Sequence, residues 1–147
     1  MNSAGHQDAI EKLECQYKNA NVLTEFLEVR VVATGLLNQL QAARSIVQLL
    51  NRVVAVKLSA ERQIGACIAK MRLRGGDRRK PRITLADYGI TPNESSKWQA
   101  LSRIPSPIFR EYVKQCETMS YRMTHRGLEY FVHVKTSMPS GQSLVGE

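Results

Sequence analysis

Apolar side chains in this chain recur mostly at intervals of three and four, the spacing of one face of an α-helix. Ile10, Leu13 and Tyr17 share such a face and predict a first helix over residues 8–20, with a break at 19–21. Leu27, Val31, Leu36, Leu37 and Leu40 predict a second helix over 24–42. Val29, Val31 and Val32 favour a strand locally, and Gly35 costs a helix about 1 kcal/mol. The Gln, Leu and Ala content after Gly35 decides for helix. Ser45, with Gln48 three residues on, matches a capping box. It opens the longest stripe: Ile46, Leu49, Val53, Val56, Ala60, Ile64, Cys67 and Met71. A helix over 46–73 is about 40 Å long at about 1.5 Å per residue. The stripe is either the core face of a small bundle or a coiled-coil seam joining two copies. Leu50, Val54 and Leu58 widen it, so more than one neighbour packs against it. Gly75 and Gly76 end this helix.

The next cluster reads ITLADYGITPNESSKWQALSRIPSPIFREYVKQ, residues 83–115. Thr84 caps a short helix over 85–88, and Gly89 sits where a turn needs positive φ, which glycine adopts without steric cost. Ile90 points back into the core. Thr91, Pro92 and Glu94 form a strong helix start: a cap, a proline at the first position, and a carboxylate returning a hydrogen bond from the third. Pro105 and Pro107 stop that helix after Arg103, and Ser106 or Pro107 begins another, carrying Ile108, Phe109, Tyr112, Val113 and Cys116. Two short helices around a glycine turn form a helix-turn-helix pattern, whose second helix can enter the DNA major groove. Its inward face holds Ser95, Trp98, Leu101 and Ile104. Its outward face holds Asn93, Ser96, Lys97 and Ala100, with Arg103 further along. Asn pairs with adenine, Lys reaches guanine, Ser bonds either base or phosphate, and Ala contacts a thymine methyl.

Charge sharpens this picture. The chain has 147 residues, 21 Lys plus Arg against 13 Asp plus Glu, and a net charge of +8. Most of the excess lies in residues 70–82, where Lys70, Arg72, Arg74, Arg78, Arg79, Lys80 and Arg82 face only Asp77. A local cationic block beside a helix-turn-helix points to a polyanion, because phosphate contacts dominate nucleic-acid affinity. Length predicts one domain with an appended helical arm, and 43% hydrophobic content suffices for a core. With one Trp, three Phe and five Tyr, that core must be mostly aliphatic.

Several classes are excluded. No apolar run reaches the roughly 18–20 residues that span a bilayer, since Gln48, Asn51, Arg52 and Lys57 interrupt the best one. Residues 1–7 lead into polar sequence and carry no secretory signal. Cys15, Cys67 and Cys116 are odd in number and far apart, which argues for a reducing interior and against disulfides or zinc. Cys67, on the apolar stripe, reads as a small core residue. His6, His125 and His133 lie in segments expected to be flexible or terminal, without metal-binding spacing. Arg74-Gly75-Gly76-Asp77 is not a phosphate-binding loop, and Glu61 and Arg62 read as solvent-facing residues or a bundle-internal ion pair. No active site, cofactor site or metal site assembles. Residues 128–134, LEYFVHV, have strand character. Tyr121, Arg122, His125 and Arg126 suit extra nucleic-acid contacts, but a packing tail is the simpler reading of 121–135, and 136–147 look disordered.

AERQIGACIAKM (60–71), a basic Gly-rich spacer and TLADYGITPNESSKWQALSRIP (84–105) together resemble helical accessory proteins common in phages, prophages and plasmids. The second half is also similar to the central helix-turn-helix of ParB/KorB partition proteins, in which a hydrophobic-Pro step, here Ile104-Pro105, leads to another helix. The likeness covers residues 23–115. It departs at Ala66, where the common pattern has Glu, and it shows no nuclease-like or CTP-binding motif of full ParB proteins. The resemblance implies a DNA-reading module on a mobile element.

The expected fold is therefore all-α: long N-terminal helices, with a coiled-coil dimer as one option, then a basic loop and a helix-turn-helix bundle. Expected boundaries are a flexible N-terminus at 1–7, a helical and dimerisation region at 8–74, the basic loop at 75–82, the helix-turn-helix at 83–118 and a partly disordered tail at 119–147. The expected function is sequence-specific binding of double-stranded DNA by a homodimer, for transcriptional or replication and partition control, in a prokaryotic cytoplasm at the nucleoid. Arg74, Arg78, Arg79, Lys80, Arg82 and Arg103 hold phosphates; Asn93, Ser96, Lys97 and Ala100 read bases. The alternative is a helical interaction module that binds a host nucleic-acid-handling or defence protein.

Overall fold

The computed structural model describes residues 3–71 and 83–137. The basic segment, with Arg74, Arg78, Arg79, Lys80 and Arg82, lies outside the described residues, as do Gly75 and Gly76, expected to end the long helix, and residues 138–147. Among the described residues the protein is all-α, with no strand. Its elements are α1 (Ser3–Asn19), α2 (Leu23–Ala42), α3 (Val47–Met71), a 3-10 turn (Ala86–Tyr88), α4 (Pro92–Ser102), α5 (Ser106–Met119) and α6 (His125–Ser137).

α3 is the spine. One part of its surface buries Leu49, Leu50, Val53, Val56 and Ala60 against Ile10 and Leu13 of α1 and Val29, Ala33, Leu36 and Leu40 of α2. Another buries Val54, Leu58, Ile64 and Ile68 against Trp98, Leu101, Phe109 and Leu128 of the C-terminal helices and Met123 of the link between the last two. Each Val, Leu, Ile, Phe or Met among them contributes about 1.5–3 kcal/mol on leaving water. These stripe residues are already covered by the chain's own helices, so a seam between copies would need another face. Arg52 ties α1 to α3 through Glu14, Nη2 to Oε1 at 2.6 Å, and that bond raises the guanidinium's pKa.

Local signals set the boundaries. The Glu25 carboxylate accepts from the backbone N–H groups of Asn21 and Val22 at the start of α2. α2 closes through Arg44, left-handed at φ 53°, with the Ser45 N–H on the Leu40 carbonyl at 3.0 Å. The expected Ser45–Gln48 capping box gives way to a different use of Gln48, whose amide donates to Ser120 Oγ at 3.4 Å.

Two expectations are corrected. The N-terminus is helical from Ser3, not flexible to residue 7, and His6 is buried. The segment LEYFVHV is helical, not extended, and lies in α6. The packing tail read at 121–135 is thus built around a helix. Thr124 caps it, accepting the Gly127 N–H at 2.8 Å, and Leu128 and Phe131 then fall on one buried face. Strand alternation would have split those two residues between opposite faces.

Candidate nucleic-acid interface

Held α4 is the centre of the site. Before it, Thr84 and Asp87 bond reciprocally, Thr84 N–H to Oδ2 at 2.7 Å and Asp87 N–H to Oγ1 at 3.4 Å. They wind a single 3-10 turn where the sequence predicts a short helix over 85–88. Gly89 then reverses the chain at φ 74°, and Ile90 enters the core at 3% exposure. Thr91 and Glu94 form the expected capping box: the Glu94 N–H donates to Thr91 Oγ1 at 3.1 Å, and the Thr91 N–H donates to Glu94 Oε1 at 3.0 Å.

The inner face of α4 is locked from three sides. Ser95, Trp98 and Leu101 are buried, and Ile104 beyond them is half-buried. Gly65 of α3 lies against the α4 backbone so closely that a Cβ there would sit 1.9 Å from the Trp98 carbonyl oxygen. Arg30 of α2 stacks over the Trp98 ring at 4.6 Å and bonds Glu61 at 2.8 Å. Glu61, 1% exposed, also pairs with Lys57 at 3.0 Å. Arg62 donates to the carbonyls of Leu101 (3.3 Å) and Ile104 (2.7 Å), holding the end of α4, and lies over Phe109 at 4.5 Å. Burial lowers the pKa of this guanidinium. Of the two readings given to Glu61, the bundle-internal ion pair is the one observed.

With that face locked, α4 presents Asn93, Ser96, Lys97 and Ala100 to solvent, and Arg103 is exposed at its C-terminal cap. The four sequence-predicted contact residues share one surface. That surface is not free-standing. It forms one wall of an open groove of about 620 Å³ whose other wall is α6, through His125, Glu129, Val132 and His133. Leu101 and Ile104 line it as well.

Sequence reasoning missed the α6 wall. The spacing of His125, Glu129 and His133 at four residues is its only sequence signal. His125 donates Nε2–H to Glu129 Oε1 at 2.6 Å, which leaves Nδ1 as the unprotonated nitrogen. Nδ1 is buried without a hydrogen-bond partner. Burial lowers the His125 pKa, Lys97 lowers it further, and Glu129 and Glu61 pull the other way. The pair resembles a catalytic dyad only superficially, because the nitrogen that would take a proton is sealed from the groove.

α6 is placed by two polar clamps. Asn51 of α3 donates Nδ2–H to the Tyr121 carbonyl at 2.6 Å and accepts the Met123 N–H at 2.8 Å. The Tyr112 hydroxyl donates to the Thr124 carbonyl at 3.2 Å and accepts the Thr124 N–H at 3.1 Å. The phosphate contacts assigned to Arg74, Arg78, Arg79, Lys80 and Arg82 fall outside the described residues. Among the described residues, no group of three or more His, Cys, Asp or Glu is placed to hold a metal, and no helix is long and apolar enough to cross a membrane.

In comparisons with known proteins, no family model, curated protein sequence or solved structure matches this chain.

Proposed function

We propose that this chain is a sequence-specific double-stranded DNA-binding protein of a mobile element, acting in transcriptional, replication or partition control. The observation that carries the reading is α4: its inner face is fixed by Gly65, Arg30 and Arg62, while Asn93, Ser96, Lys97, Ala100 and Arg103 face outward together. Side chains that recognise DNA must be held by a rigid support, because a loosely placed donor does not discriminate between base or phosphate positions. The cationic segment at 70–82 supplies the sequence-independent attraction that such a helix needs. Binding as a dimer is part of the proposal, through a face other than the buried α3 stripe.

A selection from random duplexes tests the reading. The wild-type protein enriches a short motif, and the Asn93→Ala variant degrades the enrichment at about one base position, with a discrimination loss of ~1–3 kcal/mol there. Recovery of unselected sequence from the wild-type protein contradicts sequence-specific binding. A host protein captured in place of DNA supports the interaction-module alternative.

A further inference from the structure

The chemistry of the groove between α4 and α6 narrows what it can hold. Asn93, Ser96 and Lys97 offer donors from one wall, and His133 faces them from the other. The one carboxylate in the lining, Glu129, already accepts from His125. Leu101, Ile104 and Val132 supply apolar surface between these polar groups. A ligand matching this lining is rich in acceptors and carries apolar units between them. A sugar–phosphate strand has that composition: phosphate oxygens accept, and each deoxyribose offers an apolar face. From Asn93 to Leu101 the α4 wall runs about 12 Å at about 1.5 Å per residue, room for about three nucleotides at the roughly 3.4 Å per nucleotide of a duplex strand.

We propose that this groove seats one sugar–phosphate strand, with Lys97 and His133 on its phosphates from opposite walls. The proposal rests on the DNA-binding reading and deepens it. It makes α6 part of the nucleic-acid site and moves Lys97 from base edges to the backbone. Glu129 then faces the strand as a repelling charge, which weakens binding without deciding sequence. The strand comes either from a double helix, whose backbone ridge enters the groove, or from unpaired DNA.

The test uses the full chain and fluorescence anisotropy on labelled oligonucleotides of about 12 nucleotides, single-stranded and as duplexes of preferred and scrambled sequence. Lys97→Ala and His133→Ala each weaken preferred and scrambled sequence alike, by roughly three- to tenfold, because phosphate contacts carry no sequence information. Lys97→Ala also reduces the salt slope by about one. Glu129→Gln, which keeps an acceptor for His125, tightens binding. Ala100→Trp fills the groove from an exposed position and lowers affinity most. Tighter binding of duplex assigns the strand to a double helix; tighter binding of the single strand assigns it to unpaired DNA. If Lys97→Ala weakens the preferred sequence alone, while His133→Ala and Glu129→Gln change nothing, α6 is not a wall of the site and the strand seat is wrong, although DNA binding stands. Failure of the wild-type protein to bind either form removes the DNA reading itself. Circular dichroism and denaturation midpoints of each variant separate lost contacts from lost structure.

Discussion

Glu61 carries its charge at 1% exposure, and Arg30 and Lys57 make that tolerable by bonding one of its oxygens. Glu61→Ala leaves Arg30 and Lys57, each about a quarter exposed, without their shared acceptor, and is expected to destabilise the protein by about 1.5–3 kcal/mol. Urea denaturation reads this directly, and a loss under about 1 kcal/mol contradicts the role given to the pair. His125 sets a pH dependence whose sign follows from its lowered pKa. A base with a folded pKa below its unfolded value of about 6.5 binds fewer protons in the native state. Its contribution is fully present above about pH 6.5 and is lost as pH falls through the lowered folded value. The drop in denaturation midpoint from pH ~7.5 to ~5 should therefore be smaller in His125→Asn than in the wild type; equal drops contradict the assignment. Neither role could be read from local sequence. Glu61 sits 31 positions from Arg30 and fits an exposed helix face equally well, and His125 acquires its environment from Lys97 on another helix.

At the scale of elements, the start of α4 was legible from its chemical markers, whereas the Ser45–Gln48 pattern was not a cap. Thr91, Pro92 and Glu94 fixed the start of α4, because a capping box is a contact within four residues. The helix over 128–134 was not legible, since Val132 and Val134 weigh toward a strand until Thr124 is recognised as a cap and Leu128 and Phe131 as one buried face. What fixes α6 in place is remote. Asn51 looks in sequence like an interruption of an apolar run, yet it clamps the backbone at Tyr121 and Met123. Asn51→Ala orphans a buried N–H and should destabilise the protein by about 1–3 kcal/mol. Amide hydrogen exchange should then rise chiefly over residues 121–137. A uniform rise, or none, contradicts the assignment of Asn51 to α6.

For the whole molecule, the stripes at three- and four-residue spacing were enough to read an all-α fold, and α3 spans Val47–Met71 within the 46–73 that its stripe predicts. The same stripe could not distinguish a seam between copies from a spine within one. Burial covers the middle of the stripe, where α3 packs on α1 and α2 along one part and on the C-terminal helices along another, while Ile46 and Met71 at its ends are exposed. The groove was equally invisible, since it exists only where α6 returns beside α4. Duplex DNA binding through α4 and the cationic segment at 70–82 is the activity proposed for the molecule. Affinity for a labelled duplex as a function of salt tests it most directly. Tight binding is expected at roughly 100 mM salt, with a steep linear fall of log affinity with log salt and a shallower slope for a variant with Arg78, Arg79 and Lys80 all changed to Ala. No binding to any duplex at roughly 100 mM salt, or a slope indifferent to those three cations, would contradict it.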